Sequence, residues 1–475
     1  MPGPLVLRGG TVLPVDDAHS VLPDTDVLIV DDRIAAVGPA LDVPAGTREI
    51  DAADGIVMPG MIDTHRHMWQ TAMRGYGADW TLSQYFVWYY LENGRHFRPD
   101  DIRAGNRLAA LESIDAGVTT TVDWSHGLQT VGHAEAAVDA LRSVPGRFVL
   151  AYGNIAQAPW EWATSNEFRA FATSLRDAAD DMLGFQMAFD VTGDPEFPER
   201  AAYEVARELD VPVTTHAGVW GATNDDGIRL AHDAGFLNER SVFVHAATLS
   251  ADSYHRIAAT GGSVSVSTES EQSAGQGYPP TWALRRHGIP VSLSMDTSVW
   301  WSGDLFSAMR TTLGADRSRE HLEAHGRGDT VTHCVLRADQ VVEWATRGGA
   351  RALGRDDLGR VEPGAKADVV LIKNDRSPVS FPLLNPHGHV AFQAQRGDVH
   401  TVIIDGNVVK DAHELVGVDL AAARREVEAT VEHLRSTIGD DAWQQGMHPD
   451  VPQTTLLDNP YTYTDYASSA THSQR

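Results

Sequence analysis

Between residues 56 and 300 the chain repeats one alternation, apolar strand-like runs separated by helix-like stretches. The strand candidates are 56–63, 118–123, 148–152, 184–189, 211–216, 241–245, 263–267 and 291–296. Helical patterning fills the intervals, notably at 99–116, 134–143, 167–181, 199–208 and 225–234. Eight such units are the number that closes a parallel (β/α)8 barrel of the TIM type. An open, doubly wound sheet is the alternative α/β arrangement. No Gly-x-Gly-x-x-Gly turn follows an early strand and no Walker-type loop occurs, so a dinucleotide or nucleotide-phosphate site is not expected.

The flanks have a different texture. Residues 5–10, 27–30 and 33–38 are short apolar runs broken by Gly and Asp-Asp, and the pattern returns at 367–372 and 399–407. The two ends therefore predict a small β-sandwich, residues 1–57 with 355–415, into which the barrel of residues 58–354 is inserted. Residues 416–475 form a C-terminal helix and tail. The stretch 419–438 has helical spacing, whereas 446–475, rich in Pro, Thr, Ser and Tyr, is read either as disordered or as wrapping a neighbouring subunit.

Charge and composition narrow the partners. A net charge of -27 over 475 residues lacks the basic footprint of a nucleic-acid or anionic-membrane binder. No apolar run approaches the roughly 20 residues of a membrane span. Met1 to Leu5 lack the basic-then-apolar pattern expected of a secretion signal, and the single cysteine, Cys334, fits a reducing cytoplasm. The expectation is a cytoplasmic protein acting on a small molecule.

The chemistry sits at strand ends. His65 and His67 stand at i and i+2 beyond the first strand, so both imidazoles project to one side. His216 closes 211–216, His245 closes 241–245 and Asp296 closes 291–296. Any one of these could cap backbone groups. Five of them at C-terminal strand ends, the face on which barrel active sites are built, point to a divalent metal site.

These residues, together with Pro59 to His67, Met73-Arg74-Gly75, Asp115 to Thr120 and Leu358 to Asp368, resemble the amidohydrolase superfamily. The likeness is to the branch containing triazine hydrolases and cytosine deaminase-like and S-adenosylhomocysteine deaminase-like enzymes, over roughly residues 1–415. The resemblance implies a sandwich around a (β/α)8 barrel and often a homo-oligomer. It implies one divalent cation, zinc or else iron(II) or manganese(II), bound by His65, His67, His216 and Asp296. Asp296 would also carry the proton of the attacking water, and His245 would steady the developing charge. The only lysines, Lys366, Lys373 and Lys410, lie downstream of the barrel strands, so a carbamate-bridged metal pair is excluded.

One position departs from that branch. Three residues after the strand-five histidine, a glutamate that protonates a ring nitrogen is expected; here the residue is Val219. The reading is therefore hydrolysis of a non-peptide C–N bond in a small apolar or aromatic molecule. The alternative is a deaminase or dechlorinase of an N-heterocycle with a substitute acid, for which Glu269, Glu271 and His126 are the candidates. A catalytically inactive metal-binding protein on the same barrel is the remaining alternative. Aromatic residues crowd the segment after strand one (Trp69, Trp80, Tyr85, Phe86, Trp88, Tyr89, Tyr90), and others follow later strands. Trp69, Trp124, Trp220 and Trp300 are singled out as pocket residues because each lies close to a ligand or a strand end.

Overall fold

The computed structural model describes residues 3–219 and 222–451. Five strands open the chain: β1 (Leu5–Val12), β2 (Leu22–Val30), β3 (Arg33–Gly38), β4 (Arg48–Asp51) and β5 (Ile56–Pro59). Eight parallel strands follow: β6 (Met61–Arg66), β7 (Val118–Ser125), β8 (Arg147–Tyr152), β9 (Leu183–Ala188), β10 (Val213–Ala217), β11 (Val242–His245), β12 (Ser263–Val266) and β13 (Val291–Leu293). They pair in sequential order. A bridge between Arg66 and Asp296 joins the first strand to the segment just beyond the last, so the sheet curls into a barrel. β14 (Val369–Ile372), β15 (Val399–Ile404), β16 (Asn407–Asp411) and β17 (Glu414–Leu415) return to the first sheet.

That first sheet is mixed and nine-stranded, running β17-β16-β15-β14-β5-β1-β2-β3 with β4 on β1. Its seam between the two chain ends is the antiparallel pairing of β14 with β5, Val370 opposite Met58. It has its own apolar core, including Leu7, Val27, Val57, Val369 and Ile403. Burial of such side chains contributes roughly 1.5–3 kcal/mol each relative to exposure, so both ends are needed to complete one core.

The single strand expected over 56–63 is two strands in two different sheets. Ile56–Pro59 pairs in the mixed sheet, and Met61–Arg66 begins the barrel. The break falls at Gly60, where a Cβ would lie 2.1 Å from Thr119 Oγ1, so only glycine fits the crossing. The barrel wall around β6 is held from outside. Arg66, between the two histidines and facing away from them, binds Glu112 and, at 3.0 Å, Ser113 Oγ of the helix Pro99–Asp115. Glu112 also accepts from Arg74 and from Arg396, the latter at 3.0 Å from the far flank. Alternation along β6 thus sends Arg66 outward and His65 and His67 inward.

Beyond the sandwich, the helix Leu420–Ile438 packs on the helix Pro99–Asp115. The chain then reaches back over the segment that follows β6. Trp80 Nε1 donates to the Gly446 carbonyl at 3.0 Å, and Gln84 Nε2 to that of Pro449 at 2.9 Å. Residues 452–475, most of the stretch read as disordered or wrapping, lie outside the described residues.

Candidate metal centre

The barrel mouth brings His65, His67, His216, His245 and Asp296 together. Potential ligand atoms of His65, His67 and His216 lie within 4.8 Å of one another, as do those of His65, His245 and Asp296. His65 Nε2 and His67 Nε2 each stand 3.4 Å from Asp296 Oδ1. Ligands about 2.1 Å from a tetrahedral zinc are themselves roughly 3.4 Å apart, so this spacing fits a shared cation. Both ring nitrogens of His65 are buried without a hydrogen-bond partner, a cost that a cation beside Nε2, on the Asp296 side, would relieve for that atom.

Local backbone geometry aims the later members. His245 and Asp296 both adopt left-handed conformations, with φ of 69° and 65°. Such residues are uncommon outside glycine and cluster at functional sites. β11 stops at His245 and β13 stops three residues before Asp296, and both side chains turn into the mouth.

Neighbours fix the imidazoles. His67 Nδ1 is 2.8 Å from the Trp124 carbonyl and so donates to it, leaving Nε2 for a ligand role. His216 Nδ1 is 2.9 Å from Asp190 Oδ1, which also accepts the His216 backbone N–H at 3.2 Å. His245 Nδ1 is 3.4 Å from Glu271 Oε1, itself held by the Ser267 N–H at 2.8 Å. The Ser270 hydroxyl donates to Asp296 Oδ2. Carboxylates and carbonyls behind imidazoles set tautomer and orientation.

The charge states suit a cation. Burial drives the pKa of His65 far below the ordinary histidine value and that of His67 down to about 4. Burial opposes charge on Asp296 as well, but His65 and His67 outweigh it and hold the carboxyl well below its usual range. At His216 burial is outweighed by Asp190, and the pKa rises. Asp296 is thus an ionised carboxylate beside two neutral imidazoles, His65 and His67, the form in which such side chains bind metal, while His216 must give up its proton to join them.

A cavity of about 320 Å3 opens over the cluster. Tyr85, Phe86, Tyr90 and Trp300 form its aromatic wall, and Asp190, Val219 and Gln276 complete its polar and apolar edges. Of the tryptophans singled out from sequence, Trp300 lines it. Trp69 does not: the 3-10 turn Met68–Met73 tucks it, fully buried, beneath Gly105 and Gly127. Trp124 lies under the ligands, its ring 4.2 Å from that of His216. Trp220 lies outside the described residues. His126 stacks below Tyr90 and sits 4.2 Å from the His67 ring. Glu271 backs His245. Glu269, whose pKa burial raises to about 7, is not among the residues facing the cavity.

Asp190 is the residue that the sequence did not single out. It lies two residues past β9, in Phe189-Asp190-Val191-Thr192, which reads as an ordinary turn. Its position after a barrel strand, matching His216, His245 and Asp296, was the available signal. Tyr85 and Tyr90 were visible as part of an aromatic run. The winding of Val87–Asn93 as a π-helix, with its wider turn, puts them on one side.

The sequence profile of the Amidohydrolase family matches residues 56–409. A Halobacterium salinarum protein named 5-methylthioadenosine/S-adenosylhomocysteine deaminase is 32% identical over 450 residues, spanning 92% of this chain and 99% of its own. One of the same name from Symbiobacterium thermophilum is 31% identical over 424 residues, 85% of this chain and 93% of its own. Among solved structures, atrazine chlorohydrolase from Arthrobacter aurescens TC1, complexed with zinc, superposes with a TM-score of 0.79 at 23% identity, covering 90% of this chain and 100% of that one. An adenosine deaminase from Xanthomonas campestris with bound zinc gives 0.76 at 23%, covering 92% and 99%.

Proposed function

Because this chain belongs to the amidohydrolase family, we propose that its barrel mouth is a hydrolytic centre for a non-peptide C–N bond of a small apolar or aromatic molecule. His65, His67, His216 and Asp296 hold one divalent cation, zinc by analogy with the zinc-bound structural relatives. The observation that carries the reading is the placement of Asp296 Oδ1 at 3.4 Å from two buried, neutral imidazoles.

A divalent cation at such a set supplies Lewis acidity and a nucleophile usable at neutral pH. The chain supplies the rest. Asp296, ionised and facing the reacting centre, accepts the proton of the attacking water and returns it to the leaving nitrogen. His245, braced by Glu271, presents Nε2 to the oxygen on which charge develops. Asp190 fixes the ring of His216. The aromatic wall packs the substrate and excludes water. Val219 faces the same cavity and donates no proton, so the bond cleaved is one whose departure needs no acid at that position.

Among the described residues no helix is long and apolar enough to cross a membrane. Exposed Phe381 and Leu384 support self-association, which light scattering would measure directly.

The test is metal analysis coupled to a screen for released ammonia, amine or halide across amides, carbamates, ureas and aminated heterocycles. Activity should vanish with a chelator and return with zinc. Stoichiometric metal without turnover in any class would instead indicate a binding protein, and failure to take up metal would remove the ligand assignment.

A further inference from the structure

The cavity has a charge pattern that the hydrolytic reading leaves unused. Asp190 Oδ1 is engaged by His216, but Oδ2 has no partner among the described residues, and the side chain is 49% exposed, toward the cavity that it lines. Among the described residues no lysine or arginine lines that cavity. Asp190 lies outside the proposed ligand set, and among those residues its carboxylate is engaged through Oδ1 alone.

Much of the remaining lining is aromatic. Tyr90 is sandwiched between Phe86 at 4.5 Å and His126 at 5.2 Å and so has no free face, while Tyr85 meets Trp300 edge to face at 5.0 Å. Asp190 lines the same cavity as Tyr85, Phe86, Tyr90 and Trp300. A carboxylate facing aromatic rings is how proteins recognise organic cations, since the ring quadrupole and the anion attract the same charge. The net charge of -27 adds a long-range field of the same sign.

We propose that this cavity selects small cationic nitrogen compounds, an ammonium or amidinium group on an aromatic-sized body, with Asp190 Oδ2 accepting the N–H and Tyr85, Phe86, Tyr90 and Trp300 holding the body. The proposal rests on the site assignment above and names the substrate class for it. It also accounts for Val219. A substrate that brings its own proton to the pocket needs no protein acid beside the ring, and an added glutamate is not required for binding either.

The experiment uses the full chain loaded with zinc and two ligands of one shape that a hydrolase does not cleave, benzylammonium and benzyl alcohol. Calorimetric titration at pH 7.5 should show the cation binding at least about tenfold more tightly. Asp190→Asn, assayed at saturating zinc with metal content measured in each sample, should narrow the gap to about twofold or less. Trp300→Leu, in the cavity lining, should weaken benzylammonium several-fold and leave benzyl alcohol within about twofold. Equal binding of the two ligands in the unmodified protein overturns the proposal. So does a cation preference that survives Asp190→Asn, which would mean that the amine sits on the metal, or an equal loss of both ligands in Trp300→Leu. Failure of the hydrolytic reading shows separately, as absent zinc uptake or absent turnover in the substrate screen.

Discussion

Metal binding should be coupled to about one proton, not three, across mildly acidic pH. Three histidines of ordinary pKa, near 6.5, would each have to lose a proton on binding. Affinity would then fall by up to about a thousandfold per pH unit below that value, or about 4 kcal/mol. The structure predicts a shallower course. His67, depressed to about 4 by burial, is still roughly 97% neutral at pH 5.5, and His65 is depressed further in the same direction. Neither has a proton to displace. His216 behaves oppositely, because Asp190 raises its pKa above the ordinary value against the effect of burial. The cation needs neutral His216, so affinity falls as pH drops below that raised pKa, by about tenfold or 1.4 kcal/mol per unit. Between pH 5.0 and 6.5 a plot of log Kd for zinc against pH should therefore have a slope of magnitude near one. Competition with a chelator of known proton affinity measures it, and calorimetry in buffers of different ionisation enthalpy counts the protons directly. In Asp190→Asn the onset should move to lower pH. A slope near three would refute the reasoning, since it would mean that the buried imidazoles titrate as if in water. A slope near zero would refute the role given to Asp190.

Asp296→Asn keeps a residue tolerant of φ near 65° and should lower turnover about 10²- to 10⁴-fold while zinc stays bound; turnover within tenfold of the unmodified enzyme would end its role as proton carrier. Asp296→Ala should in addition lose about 1–2 kcal/mol of stability from its left-handed backbone, read as a shift in urea midpoint. Glu271→Gln should cut kcat about 10- to 100-fold with little change in KM, because it loosens His245, whereas Glu269→Gln should leave both near normal. Gly60→Ala, with a Cβ driven to 2.1 Å from Thr119, should destabilise by about 1–3 kcal/mol or more in the same urea assay.

The elements that were legible in the sequence are those whose signal is periodic or positional. Alternating strands and helices gave the barrel, and residues closing apolar runs gave His216, His245 and Asp296. What was hidden depends on three-dimensional winding. Trp69 and Tyr90 both follow His67, yet a 3-10 turn buries the first and a π-helix presents the second. No short-range pattern separates them. Gly60 ends one sheet and begins another without interrupting the apolar run Ile56 to Ile62, because both strands are buried on both faces. Asp190 carries no periodic signal, and its meaning arises only from His216, 26 positions away.

The closure of the barrel has one more implication. Its first strand meets the segment beyond its last through the backbones of the same residues whose side chains would grip the cation: His67 N–H donates to the Asp296 carbonyl at 2.7 Å, and Asp296 N–H to that of His65 at 3.1 Å. The clasp and the seam are therefore one object. Residues 65 and 296 are separated by nearly the whole barrel in sequence, so a ribosome-bound chain cannot assemble the full ligand set until the eighth strand has emerged. Loading would thereby be deferred until the scaffold is whole.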